Sequence, residues 1–484
     1  MTRKIRRLQE LSLVDAKLTL NLPRIQLLYW LQALPSLKKL SYSLEAQSYQ
    51  KAWIKLQCQR IVRYLKMQNR LESLSFNLSG ISEFFFVNLM RFPQYPRSLC
   101  HLSVKGYCGH FWNDKTNSED LQLSLSKMTK LEYLEFHMGS ELVHSGTLLD
   151  FITSAPQIRF LDISIPFSLD NSVINPERMK GLEGVRLVFK GTAFEQALNL
   201  FRIPSLSYVS LALSLSDPSQ LSGLVTYVSQ FKNLASLKIK AKCISTTIFL
   251  QENLFRDLFR QIGKIQTLKI LSLSFKFTGG NAARSQRKPV NILSGIDEIF
   301  LYGIKLEKLS LIFDEAGDEK TVPKLVEILD GVKEGLVKLK IDIGRGEMKI
   351  REAEKFIRFI KEMKLLKVLK INCLNLEGRT SLKGFVEAIK GMENLKKLRF
   401  GKIDEGIENK KVIESVERML GKKGLREFGC EIAKKWMMKE EYSVSCWKIL
   451  KKNPDLELVD KRLQIFRGNW VKKFVFCRQK YYWF

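Results

Sequence analysis

The sequence is poor in the residues that most chemistry needs. It holds four histidines and eight cysteines among 484 residues. The cysteines, at 58, 100, 108, 243, 373, 430, 446 and 477, stand singly with no Cys-x-x-Cys pair, which excludes a zinc knuckle and a disulfide framework and suits a reducing compartment. No Gly-x-x-x-x-Gly-Lys phosphate loop, Gly-x-Ser-x-Gly elbow, His-Glu-x-x-His helix or kinase signature occurs, so no enzyme class is indicated. Nowhere do eighteen apolar residues run together, and Glu10 and Asp15 interrupt the apolar stretch that a signal peptide would need behind Arg3, Arg6 and Arg7,. The chain therefore reads as cytoplasmic, with nuclear or mitochondrial placement left open.

Acid is also in short supply. Fifty acidic residues stand against 80 basic ones, a net charge of +30, which favours a partner of opposite sign: a nucleic acid, an anionic surface or an acidic protein. The excess grows along the chain. Residues 243–484 carry 50 basic and 32 acidic side chains, leaving 30 and 18 for the first half, or +18 against +12. All four histidines (101, 110, 137, 144) lie near Cys100 and Cys108, and CHLSVKGYCGH has the look of a zinc site,. Cys100 and His101 are adjacent on a predicted strand, however, and so point to opposite faces. Neither a metal nor a cofactor is expected.

What the sequence has in quantity is one motif. LEKLSL at 306–311 returns as LVKLKI at 336–341 and LKVLKI at 366–371, and the same register recurs from LQEL at Leu8 to LREF at Leu425, about fifteen times. In Leu-x-x-Leu-x-Leu the last two leucines are two apart, as a strand requires if both are to face one side. Between motifs the apolar spacing turns helical. Ala353, Phe356, Ile357, Ile360 and Met363 form one stripe, and Leu382, Phe385, Val386, Ile389 and Met392 form another,. Units of roughly 24 to 38 residues that alternate strand and helix bury both faces only by stacking.

From about Leu8 to Cys430 the chain resembles the leucine-rich-repeat superfamily, in its long, helix-bearing, ribonuclease-inhibitor-like form. That resemblance implies an α/β solenoid with a curved parallel sheet inside, helices outside and a concave face that binds proteins. The usual Asn or Cys after the last motif leucine is missing: Ser79, Gly139, Lys190, Lys276 and Asp314 stand there instead. The expected organisation is N-terminal repeats over 1–276, an insertion loop at 277–297 marked by Gly279, Gly280 and Pro289, C-terminal repeats of the same solenoid over 298–433, and a cap with a basic, aromatic tail over 434–484,. Lys461 to Phe484 holds seven basic and eight aromatic residues and no acidic one, which suits covering the last repeat, docking a partner or stacking on nucleic-acid bases. Residues 22–53, with Leu22-Pro23 and Trp53, are loosely similar to an F-box, but also read as the outer helix and next strand of the array.

The positions between the leucines face away from the core. Down the array they begin small and polar (Ser12, Ser41, Ser75, Ser103), become aromatic and acidic (Tyr133, Glu135, Phe160, Asp162, Tyr208), and end cationic (Lys308, Lys338, Lys340, Lys370, Lys397, Arg399). Lys340, Lys370 and Arg399 are expected on neighbouring strands about 4.8 Å apart, a stack of like charge that costs stability unless an acidic group offsets it. The sequence thus points to a non-catalytic protein-protein interaction scaffold. Its partner-binding residues are Lys308, Lys338, Lys340, Lys370, Lys397 and Arg399, joined by Tyr133, Phe160 and Tyr208, and its partner is a protein with an acidic segment. The alternatives are a nucleic-acid-associated protein and, more remotely, an F-box-like substrate receptor.

Overall fold

A computed structural model describes residues 9–15, 34, 36–44, 65, 68, 70–78, 96–106, 119, 123, 125–138, 155–165, 179–189, 198, 203, 205–245, 247–248, 251–278, 292–314, 325, 329–343, 350–374, 376, 378–403, 409–420, 422, 424–431 and 457–458. The F-box-like residues 22–33 and 45–53, the polar run 279–291 and the tail 461–484 lie outside them. The chain forms two units, Met1–Leu234 and Ala235–Phe484.

The first unit carries a parallel sheet of β1 (Glu10–Asp15), β2 (Lys39–Leu44), β3 (Ser73–Leu78), β4 (His101–Gly106), β5 (Tyr133–Met138), β6 (Phe160–Ile165), β7 (Gly184–Phe189) and β8 (Tyr208–Leu215), adjacent in chain order. Each strand is one return of the motif. Leu74 and Phe76, Leu134 and Phe136, and Leu161 and Ile163 are buried, while the residues between them turn to the other face. The register is in phase throughout: Leu102 pairs with Leu134, and Leu134 with Leu161. Because side chains alternate with period two, a slip of one residue would turn every leucine outward, so core burial holds the register.

A backbone device repeats at the start of each strand. The carbonyl of Cys100 accepts from both Glu132 and Tyr133, that of Glu132 from Arg159 and Phe160, and that of Arg159 from Glu183 and Gly184. One carbonyl thus locks two successive amides of the next repeat, and the chain enters every strand at the same height. The side chains flanking these carbonyls pair across repeats, as Lys38 with Glu72 and Arg159 with Glu183 do. These exposed pairs contribute little each. The unit closes with α1 (Pro218–Val228), whose first turn is capped reciprocally: the Asp217 carboxylate accepts from the Ser219 amide, Gln220 reaches back to the Asp217 amide, and Pro218 fills a position whose amide needs no partner,.

The second unit repeats the scheme with β9 (Ser236–Cys243), β10 (Ile270–Phe277), β11 (Lys308–Asp314), β12 (Lys338–Asp342), β13 (Val368–Ile371), β14 (Lys397–Lys402), β15 (Glu427–Glu431) and the two-residue β16 (Glu457–Leu458), again parallel and in chain order. Helices α2 (Glu252–Gly263), α3 (Ile350–Lys361), α4 (Gly378–Gly391) and α5 (Asn409–Leu420) run between strands. The stripes expected on α3 and α4 are all buried. Helix and sheet meet through aromatics, Phe255 edge-on to Phe275 at 5.3 Å and Phe385 to Phe400 at 5.0 Å. Gly263 lies so close to the turn of 3-10 helix at Ile292–Ile299 that a Cβ would stand 2.6 Å from the Glu298 carbonyl. Arg260 secures that contact by pairing with the Glu298 carboxylate at 3.1 Å. The last residues of the stretch read as an insertion thus pack against α2. Each unit is a leucine-rich-repeat solenoid, with its core between the sheet and the outer segments, and among the described residues no element covers the second sheet face.

Candidate functional site

The open face of the first unit is organised by strand register. Along one row His101, Tyr133, Phe160, Gly184 and Tyr208 are neighbours; along the next stand Ser103, Glu135, Asp162, Arg186 and Ser210. The Tyr133 ring stacks on His101 with centroids 4.3 Å apart. The Phe160 ring lies over Gly184, where an added Cβ would come within 2.6 Å of it, with Tyr208 on the other side. Tyr133, Phe160 and Tyr208, expected together from the sequence, therefore do form one row. Burial, with the charges of Asp162 and Glu135, pushes the Tyr133 hydroxyl up to about 12, and burial pulls the His101 imidazole below its ordinary value.

Beside this row is a polar cluster that the sequence reading did not assemble. The ligand atoms of Glu135, His137 and Asp162 lie within 4.8 Å of one another. Their four carboxylate oxygens are already engaged. Lys105 pairs with Glu135 Oε1 at 2.8 Å, the Ser103 hydroxyl donates to Oε2 at 2.6 Å, His137 Nε2 meets Asp162 Oδ1 at 2.7 Å, and Arg186 donates to Oδ2 at 3.0 Å. Burial pushes both carboxyls up, and these donors outweigh it, so both are held below the usual carboxylate range. A metal ion would have to displace a lysine, an arginine and a serine, and the cluster instead braces strands β4 to β7. Of the zinc candidates, Cys108, His110 and His144 lie outside the described residues.

The open face of the second unit is cationic. Lys308 pairs in register with Lys338; Ser310, Lys340, Lys370 and Arg399 follow one another across β11 to β14, as expected. Two of these lysines share one carboxylate from within the chain. Glu427, its side chain only 7% exposed, accepts from Lys370 at 2.5 Å and from Lys397 at 2.7 Å. Burial pushes that carboxyl up, but the two ammonium groups override it and hold it low. Asp342 at the end of β12 accepts from Asn372 at 2.7 Å. Lys308, Lys338 and Lys340 form no ion pair with any described carboxylate. Burial, then the charges of Lys370, Lys308, Lys340 and Lys238, hold the Lys338 ammonium below the usual lysine range. Among the described residues, the cations of this face without a carboxylate partner thus include Lys308, Lys338 and Lys340 on β11 and β12 and Arg399 on β14.

The three described thiols are not poised as nucleophiles. Burial pushes the thiols of Cys243 and Cys373 up to about 12 and raises that of Cys100, so none is a thiolate near neutrality,. Among the described residues no helix is long and apolar enough to cross a membrane.

No protein-family model matches the sequence, and no curated protein matches it. Among solved structures it is similar to the complex of Rad7 and Elc1 in yeast, at 17% identity over 85% of this chain and 88% of that one, with a TM-score of 0.41. It is also similar to the TLR13-ssRNA13 complex, at 13% identity over 85% of this chain and 65% of that one, with a TM-score of 0.36, so that it spans less than two thirds of that chain's length. The fold assignment stands on the repeat register and the parallel sheets described above, not on these likenesses.

Proposed function

We propose that the chain is a non-catalytic leucine-rich-repeat scaffold that holds a protein partner against the open face of its sheet, with an acidic segment of the partner lying on Lys308, Lys338 and Lys340. The observation that supports this reading is the unequal treatment of the lysines. Lys370 and Lys397 are paired to a buried glutamate, whereas three neighbours stand close together without a described carboxylate. Like charges stacked across adjacent strands destabilise the sheet, and an acidic ligand removes that cost on binding. The engagement of Glu135 and Asp162 and the protonation of the Cys243 and Cys373 thiols fit a binding role for these groups better than a catalytic one. The row of Tyr133, Phe160 and Tyr208 is a second contact patch, suited by its half-buried rings to an apolar or aromatic side chain,.

The test is the binding of a labelled oligoglutamate peptide to the full chain, against an uncharged peptide and a single-stranded oligonucleotide, over a range of salt. Saturable binding of oligoglutamate that weakens with salt supports the proposal. An oligonucleotide that binds more tightly than the peptide, whatever its sequence, would replace it with the nucleic-acid reading that the net charge of +30 also suits.

A further inference from the structure

We propose that the surface between Lys238 and Lys340 is a phosphate-recognition notch, and that the acidic segment held there carries phosphoserine or phosphothreonine. This rests on the partner reading above and narrows it. In register across four strands stand Lys238 on β9, Ser272 on β10, Ser310 on β11 and Lys340 on β12. With strands about 4.8 Å apart, the two lysines rise from banks roughly 14 Å apart. The floor between them is low because serine is short, and Ser274 extends it along β10. The hydroxyls of Ser272, Ser274 and Ser310 are half-buried and have no hydrogen-bond partner among the described residues. The backbone of these strands is committed to its parallel ladder,. The hydroxyls are therefore the donors that the floor still has to offer.

Ammonium groups surround that floor. Lys238 and Lys240 stand on one bank, Lys338 and Lys340 on the other, and Lys308 beside Ser310 at its edge. Of the described acids of this face, Asp342 is turned to Asn372 and Glu427 to Lys370 and Lys397. A phosphoester brings about −1.5 to −2 charges and three strong acceptor oxygens, where a carboxylate brings one charge and two oxygens. Among the described residues the cations of the notch are all lysines, Arg399 lying two strands beyond Lys340, and lysine binds phosphate as a point charge. Several such charges over hydroxyl donors suit a compact tetrahedral dianion. The Glu427 carboxylate offsets one of the charges beyond β12, so positive charge is densest around the notch, which favours one dense anionic group over the evenly spaced single charges of a nucleic-acid strand.

The test uses the full chain and fluorescence anisotropy with three labelled probes: a short peptide bearing two phosphoserines, the same peptide with glutamate at both positions, and a single-stranded oligonucleotide of equal charge. The phosphopeptide should bind at least about tenfold more tightly than its glutamate counterpart. The combined variant Ser272→Ala, Ser274→Ala, Ser310→Ala keeps every charge; it should abolish that preference and leave the glutamate peptide's affinity and the unfolding curve unchanged. Equal affinities for the two peptides, indifferent to the serine variant, would overturn the phosphate inference while leaving the acidic-partner reading intact. Failure of both peptides to bind would remove both. An oligonucleotide that outcompetes both peptides would assign the notch to nucleic acid and overturn the inference as well.

Discussion

Removing the Asp162 carboxylate should destabilise the first unit by about 3 kcal/mol. Its side chain is 3% exposed and it joins β5 to β7, taking His137 at 2.7 Å and Arg186 at 3.0 Å on separate oxygens. Hydrogen bonds to a charged group contribute roughly 1.5 to 3 kcal/mol each, and breaking a buried pair by deleting one partner costs about 3 to 5. Arg186 is 50% exposed and regains water when released, so the lower end applies. Equilibrium urea unfolding of Asp162→Ala against wild type measures the difference. The acid limb gives a second check. Asp162 and Glu135 are held below the ordinary carboxylate range in the fold, while the unfolded groups take up protons at about pH 4. Between those values the unfolded state binds more protons, so their contribution is full above about pH 5 and is lost as pH falls through the folded values. His101, held low by burial, adds an acid loss that begins near its ordinary pKa of about 6.5 in both proteins. Asp162→Ala should therefore show a shallower loss than wild type below pH 5. A variant within about 0.5 kcal/mol of wild type, or one with an unchanged acid limb, would refute the bracing role.

Three further outcomes follow from named contacts. Leu309 is fully buried, so Leu309→Ala should cost about 2 to 5 kcal/mol in denaturant unfolding by leaving a cavity, while Ser310→Ala should leave stability unchanged. Glu427→Gln should release Lys370 and Lys397, lower stability, and yet tighten binding of an oligoglutamate peptide with a steeper salt dependence; weaker binding would contradict the clamp. The Tyr133 hydroxyl ionises at about 12 in the fold against about 10 unfolded, so its contribution is full below pH 10 and is lost as pH climbs towards 12. Absorbance titration of wild type against Tyr133→Phe should show that late-titrating phenol missing in the variant.

Much of this fold is legible in the leucines. The spacing of Leu306, Leu309 and Leu311, repeated at Leu336, Leu339 and Ile341, places strands, buried faces and register, because period-two burial leaves a strand a single phase in which to pair,. The stripes of α3 and α4 were legible for the same reason at helical period. What was hidden depends on diagonals across strands. Glu427 lies 57 residues from Lys370 and reaches it past an intervening strand, so no column read along the repeat places the two together. Likewise His137 meets Asp162 on the neighbouring strand two residues off register, its own register partner being Ser164. The two-residue β16 carries too little pattern to announce itself. Ser272 and Ser310 stand between Lys238 and Lys340 in the repeat column, but the strand register is what sets the four side by side.

The central claim, that the uncompensated lysines of β11 and β12 and not net charge alone attract an acidic partner, is tested most directly by two charge-matched triple variants. Lys308→Glu, Lys338→Glu and Lys340→Glu reverse the open face, while Lys355→Glu, Lys361→Glu and Lys383→Glu reverse exposed positions on α3 and α4 by the same amount. Isothermal titration with an oligoglutamate peptide should show binding lost in the first variant, because several exposed pairs of about 0.2 to 1 kcal/mol each act together there, and nearly unchanged in the second. Equal weakening in both would contradict the account.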